Sequence, residues 1–282
     1  MLLLLCCSSK ESGLQKIFSF PKSLKEVSGI EVDRNSSLIW VVQDKGNAPS
    51  IYALDNSGKI AQTININTVQ NNDWEDLSSD NLGNLYIGDF GNNDNLRRDL
   101  SIYKIDASVL KNTNADVSQK TTFYFPEQKE FPPKKSQRIF DVESFFVFGD
   151  HFYLFTKNRS SKFDGTTMLY EVPNLSGNFA AKLIGQFKTC AIFKQCAITS
   201  AAISPNGKTV ALLTSNSVWL FSEFPFNQFL SGKSRQIDLQ DFSQKEGLCF
   251  KSNSKLLICD EKVKKSGGNV YELNLADLKP EP

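Results

Sequence analysis

The chain has 282 residues, is 40% hydrophobic and 22% charged, and carries a formal net charge of +1. That composition is ordinary for a globular protein, and the charge balance lacks the basic footprint of a nucleic-acid binder, so no nucleic-acid partner is expected. A single histidine, His151, excludes multi-histidine zinc sites and would force any Ser-His-Asp triad onto one turn residue.

In chain order, "MLLLLCCSSKESG" comes first. Leucines followed by cysteines and a small polar run resemble the tail of a secretory signal with a lipid-attachment cysteine at Cys6 or Cys7, although the charged leading region is missing. Residues 1–14 are therefore expected to be a disordered signal or lipoprotein-like tail, and residues 15–282 a single domain. The protein is expected to be exported to the periplasm or cell surface, to be monomeric, and to meet a membrane only through that anchor. No other run reaches the roughly 18 apolar residues that a spanning helix needs.

Beyond the tail the apolar period is two, as in "SLIWVVQD", "NLYIGDF", "HFYLFTK", "TVALLTS" and "KLLICDE". The chain is therefore all-β, and it repeats. Each unit has an apolar strand, a turn, a second apolar strand, a polar loop and a third strand opening on an apolar–aromatic pair. The third strands are "IYAL" at Ile51, "IYKI" at Ile102, "LYEV" at Leu169, "VWLF" at Val218 and "VYEL" at Val270, spaced 51, 67, 49 and 52 residues apart. Fourth strands follow in "KIAQTINI", "KTTFYFP", "AKLIGQF" and "SRQIDLQ", and the last unit has none. The segment "QKIFSFP" precedes the first unit and can complete the last. The pattern predicts a five-bladed β-propeller of four-stranded antiparallel blades, with the N-terminal strand closing the final blade.

Aligning the units by third strands and turns puts Ser28, Glu75, Glu143, Thr199 and Glu246 at the start of the five first strands. First strands of a propeller line its channel, so these residues should form one ring of oxygen ligands. Three converging carboxylates repel one another unless a cation neutralises them. Calcium, which takes about six to eight oxygen ligands, suits an all-oxygen ring. Asp89 and Asp260 follow their glutamates by fourteen residues, as Lys157 follows Glu143, and Asp44 follows Ser28 by sixteen. These residues and Arg159 are the candidate catalytic groups at the same mouth. The insertion "EQKEFPPKKSQRIF" should lie over that mouth, where Lys134, Lys135 and Arg138 would form a cationic wall or simply a solvated loop. Cys190 and Cys196 allow either a disulfide or free buried thiols.

On the five first-strand motifs, "VSGIEV", "WEDLSSDNLGNLYIGDFGNN", "DVESFFV", "ITSAAISPNG" and "KEGLCF", the chain resembles the calcium-activated nucleotidases, the apyrase family of five-bladed propellers. The resemblance covers most of the chain and implies a central calcium held by Ser28, Glu75, Glu143, Thr199 and Glu246. The basic phosphate-binding residues of that family are mostly replaced here, by "DKGN" and "GNN", with Arg159 matching one arginine of a family pair. Two functions follow as expectations. One is a metal-assisted hydrolase of phosphoanhydride or ester substrates. The other is a non-catalytic cell-surface propeller that binds a glycan, protein or small-molecule ligand, with calcium as a staple.

Overall fold

The computed structural model describes residues 13–278. Cys6 and Cys7 lie outside the described residues. The alternating runs form five sheets. Blade 1 comprises Val27–Val32, Ile39–Gln43, Ser50–Leu54 and Ile60–Ile66, and blade 2 comprises Trp74–Ser79, Leu85–Asp89, Ser101–Ile105 and Gln119–Tyr124. Blade 3 is Asp141–Phe148, His151–Lys157, Thr166–Pro173 and Lys182–Lys188. Blade 4 is Ser200–Ile203, Thr209–Leu213, Ser217–Ser222 and Lys233–Asp238. Lys245–Ser252, Lys255–Asp260 and Asn269–Asn274 begin blade 5, and Leu14–Ser19 completes it, pairing antiparallel with Asn269–Asn274. The first strands touch in cyclic order from blade 1 to blade 5 and back to blade 1. The fold is the expected five-bladed propeller.

Two blades depart from the four-strand expectation. Asn114–Ala115 adds a short parallel strand to the outer edge of blade 1, and Gly177–Ala180 does the same for blade 2. Each comes from the connection between the third and fourth strands of the following blade. An outer strand leaves a row of amides and carbonyls unpaired, and the neighbouring blade covers part of that row. Cys190 and Cys196 form a disulfide with Cα atoms 5.4 Å apart, while Cys249 and Cys259 are buried free thiols.

The core is divided among the blade interfaces. Trp40, Ile51 and Ile64 of blade 1 pack on Trp74, Ile87 and Tyr103 of blade 2. Phe90, Phe123 and Tyr86 pack on Phe145, Phe152 and Tyr170 between blades 2 and 3. Three further clusters fill the remaining interfaces. A blade that is buried on both faces needs apolar side chains on both, which is why its inner strands read as near-continuous apolar runs such as Ile39–Gln43 and His151–Lys157.

Near the axis the first strands approach so closely that side chains become a liability. A Cβ on Gly29 of blade 1 would lie 2.6 Å from the Leu77 amide nitrogen of blade 2. Beside it stands Asp76, fully buried, which accepts hydrogen bonds from the amides of Leu77 (2.9 Å) and Phe145 (3.1 Å). The Ser200 hydroxyl of blade 4 also bonds to Asp76, and Ser200 accepts from the Leu248 amide of blade 5 at 3.0 Å. Burial pushes the Asp76 carboxyl well up, against the pull of its two amide donors. Replacing Asp76 with Ala should strand these donors and cost about 3 kcal/mol or more. Urea unfolding of Asp76→Ala measures this, and a loss below about 1 kcal/mol would contradict the role assigned to the carboxylate.

Candidate functional site

The residues expected to form the ring share one backbone irregularity. In blade 1, Val27 pairs with Gln43 and Gly29 with Val42, leaving Ser28 as the extra residue of a bulge. Glu75, Glu143 and Glu246 are skipped in the same way in blades 2, 3 and 5. In blade 4 the Thr199 amide donates to the Leu213 carbonyl, although Ser200 is the partner of Leu213. A bulge takes one residue out of the ladder and re-aims its side chain, here at the end of the channel. Ser28, Glu75, Glu143 and Glu246 line a cavity of about 210 Å³ with Asp44, Lys157 and Arg159. Thr199 does not line that cavity, but its buried hydroxyl has no hydrogen-bond partner among the described residues.

The lining of the mouth holds six carboxylates, counting Glu26 and Glu261, against two cations. Both cations serve one side. Lys157 Nζ lies 2.9 Å from Glu143 Oε2, and Arg159 bridges Glu143 Oε1 (2.5 Å) and Asp141 Oδ2 (2.6 Å). Burial alone would raise the Glu143 carboxyl, but Lys157 and Arg159 outweigh it and hold the group well below the usual carboxylate range. Lys157 also attracts Glu246, whose carboxyl nevertheless stays raised by burial. An internal ammonium thus neutralises much of the ring on the side of blades 3 and 5.

The side of blades 1 and 2 has no such relief. Asp44, Asp73 and Glu75 each offer a carboxylate oxygen within 4.8 Å of the others. Burial, then the negative charges of Glu143 and Asp44, push the Glu75 carboxyl far up. Asp44 is raised to about 7, by burial first and then by Asp73. The nearby cation, Lys45, reaches Asp73 at 3.0 Å with half of its side chain in solvent. Gly91 makes the close packing feasible, since a Cβ there would meet Glu75 Oε1 at 2.0 Å and Asp73 Oδ2 at 2.6 Å. Asp73 is the member that sequence reasoning missed. It stands two residues before Glu75, in the bend that leads into the strand Trp74–Ser79, where its amide donates to Asp89 at 3.1 Å.

The trio offers oxygen only, crowds its carboxyls so that ionisation is disfavoured without a cation and, among the described residues, gives Glu75 no hydrogen-bond donor. These properties fit a hard cation. They fit it better here than on the Lys157 side of the ring.

The other candidates fall elsewhere. Asp89 is fully buried and accepts from the Asp73 amide (3.1 Å), Arg97 (2.9 Å) and the Tyr103 hydroxyl (3.3 Å). Asp260 is its counterpart in blade 5, accepting from the Asn269 amide (2.7 Å) and the Tyr271 hydroxyl (3.0 Å). In both blades a second-strand aspartate is tied to a third-strand tyrosine and lies outside the cavity lining. By ladder register the blade 1 counterpart is Gln43 rather than Asp44. The insertion after blade 2 does reach the mouth loops: Arg138 pairs with Asp94 at 3.0 Å, and its carbonyl accepts from the Arg159 amide. Lys134 and Lys135 remain exposed and do not line the cavity. His151 begins the strand that ends at Lys157, about 20 Å from the mouth at the rise of a β-strand.

No family model matches the chain, and no curated protein matches it. Among solved structures it is similar to a chain of the nidogen/laminin complex, with a TM-score of 0.50 and 11% identity over 89% of this chain and 77% of that one. It is also similar to a β-propeller domain from Myceliophteria thermophila, with a TM-score of 0.46 and 11% identity over 92% of this chain and 98% of that one. A third similar structure is a catalytically inactive virginiamycin B lyase from Staphylococcus aureus with quinupristin, with a TM-score of 0.43 and 12% identity over 88% of this chain. The present chain spans 66% of that lyase chain. At such identities the likeness is one of fold, and propellers host lyases and binding domains alike.

Proposed function

We propose that the chain is an exported, calcium-binding β-propeller that takes up a small-molecule or glycan ligand through a cation at its mouth. The observation that carries this reading is the Asp44–Asp73–Glu75 trio, three carboxylates within 4.8 Å of one another. Calcium accepts about six to eight oxygens, so three carboxylates leave positions for water and for ligand hydroxyls or carbonyls. Lys157 and Arg159 are held by Glu143 and Asp141, which favours an uncharged, oxygen-rich ligand over a polyphosphate. The Cys190–Cys196 disulfide supports an oxidising compartment.

Metal-assisted hydrolysis of a phosphoanhydride or ester is the second reading. It is favoured by Lys157 and Arg159 facing the same cavity as Asp44 and Glu75. Bound calcium would supply Lewis acidity there. Asp44 would accept a proton, and the two cations would offset developing negative charge once freed from Glu143.

A thermal melt of chelated protein with and without calcium tests the cation. Calcium should raise the melting temperature by several degrees and magnesium by less. Glu75→Gln and Asp73→Asn should each abolish the shift, while Thr199→Val should keep it. Loss of the shift in Glu75→Gln and Thr199→Val with its survival in Asp73→Asn would move the cation onto the five-residue ring, and no calcium effect on metal-free protein would remove it.

The raised carboxyls add a pH signature. A group whose folded pKa is raised binds more protons when folded, so its stabilisation is full below the unfolded pKa and is lost as pH rises to the folded one. Asp44 is raised from 3.8 to about 7 and Glu31, on the same first strand as Ser28, from 4.5 to about 7, both chiefly by burial. Chelated protein should therefore lose stability between about pH 4 and about pH 7. Calcium should cancel the Asp44 share, because it favours the ionised form, and leave the Glu31 share, which Glu31→Gln should remove. Identical slopes with and without calcium would contradict the assignment of Asp44.

A further inference from the structure

The outer corner of blade 2 holds a second concavity, of about 550 Å³, which the mouth does not include. Its floor is apolar: Leu100, Phe123 and Phe125 are each at most 3% exposed. Its rim is cationic, from Arg97, Arg98 and Lys129, and no carboxylate lines it.

The three cations differ in how they are used. Arg97 is committed to Asp89 at 2.9 Å and Asp99 at 3.0 Å. Arg98 and Lys129 form no ion pair among the described residues. The guanidinium carbon of Arg98 lies over the Phe131 ring, 3.6 Å from its centroid. Tyr124, 47% exposed, adds a second ring at the rim.

We propose that this cleft binds an anion carried on an aromatic ring. The floor and rings bury a flat apolar body, and Arg98 with Lys129 meets the charge. The volume falls within the range of about 300–1,000 Å³ typical of small-molecule sites. An arginine already stacked on an aromatic ring retains its in-plane donors for a carboxylate, and the stack holds it in place. A simple inorganic anion would leave the apolar floor unused, and a neutral aromatic would leave the charges unmet. The site is separate from the cation trio, and the proposal does not depend on the reading of the mouth.

The test is calorimetric titration of the full chain with 2-naphthoate, 2-naphthamide and inorganic phosphate. Naphthoate should bind in the micromolar to millimolar range and weaken with added salt. The amide should bind at least about fivefold more weakly, the factor an exposed ion pair supports. Inorganic phosphate should not compete. Arg98→Ala and Lys129→Ala, both surface changes, should each lower naphthoate affinity by about the same factor. Tyr124→Ala should weaken naphthoate and naphthamide alike. Equal binding of acid and amide, unchanged affinity in both cation variants, or no binding of naphthoate into the millimolar range would each overturn the proposal.

Discussion

A carboxylate with no access to solvent lets the first strands of this propeller converge. Asp76 accepts amides from blades 2 and 3 and bonds to the Ser200 hydroxyl of blade 4, which in turn accepts an amide of blade 5. Blade 1 enters the same junction through Gly29, whose missing Cβ lets its backbone press against Asp76 and Leu77. Backbone groups buried at such a crowded junction need partners, and each one left unpaired costs of the order of 1–3 kcal/mol. One polar node therefore sets how closely five apolar sheets can approach, and the interface clusters fill the space that remains.

The mouth lies one layer above this node, and its character comes from how its charges are shared. Bulges at equivalent places aim Ser28, Glu75, Glu143 and Glu246 into one cavity. Symmetry of backbone does not give symmetry of charge. Blade 3 ends its second strand with Lys157 where blades 2 and 5 have Asp89 and Asp260. That single difference places an ammonium beside Glu143 and leaves the opposite side rich in carboxylate. The mouth is polarised across its width, with a wall of paired charges facing one crowded with carboxyls.

The architecture was legible in the sequence because strand alternation and the apolar–aromatic pairs at Tyr52, Tyr103, Tyr170, Trp219 and Tyr271 recur in every unit. The same alignment picked out Ser28, Glu75, Glu143 and Glu246, which line one cavity, and Thr199, which does not. The bulges were not, since they alter pairing without altering residue type. Asp89 and Asp260 looked like a second tier of the mouth, yet each is turned to a third-strand tyrosine, a contact that spacing along one hairpin does not reveal. The stitching strands were hidden for a different reason. Asn114–Ala115 is too short to show a period, and Gly177–Ala180 is mostly exposed and lacks an alternating apolar face. The link between Lys157 and Glu143 depends on which side chain wins a shared cavity, and that is settled only in three dimensions.

Closure by Leu14–Ser19 has a consequence for how the molecule is made. Among the described strands Leu14–Ser19 comes first in the chain and its partner, Asn269–Asn274, comes last. Until that partner arrives the last sheet lacks its outer strand and the earliest segment lacks a ladder. Contacts of such long sequence separation form slowly, and unpaired edges invite association with other chains. A copy in which the two have not yet met therefore has an open ring, in which the Leu14–Ser19 strand of a second copy can compete with its own. Dilution should favour the monomeric closed ring, and crowding during synthesis should favour strand-exchanged pairs.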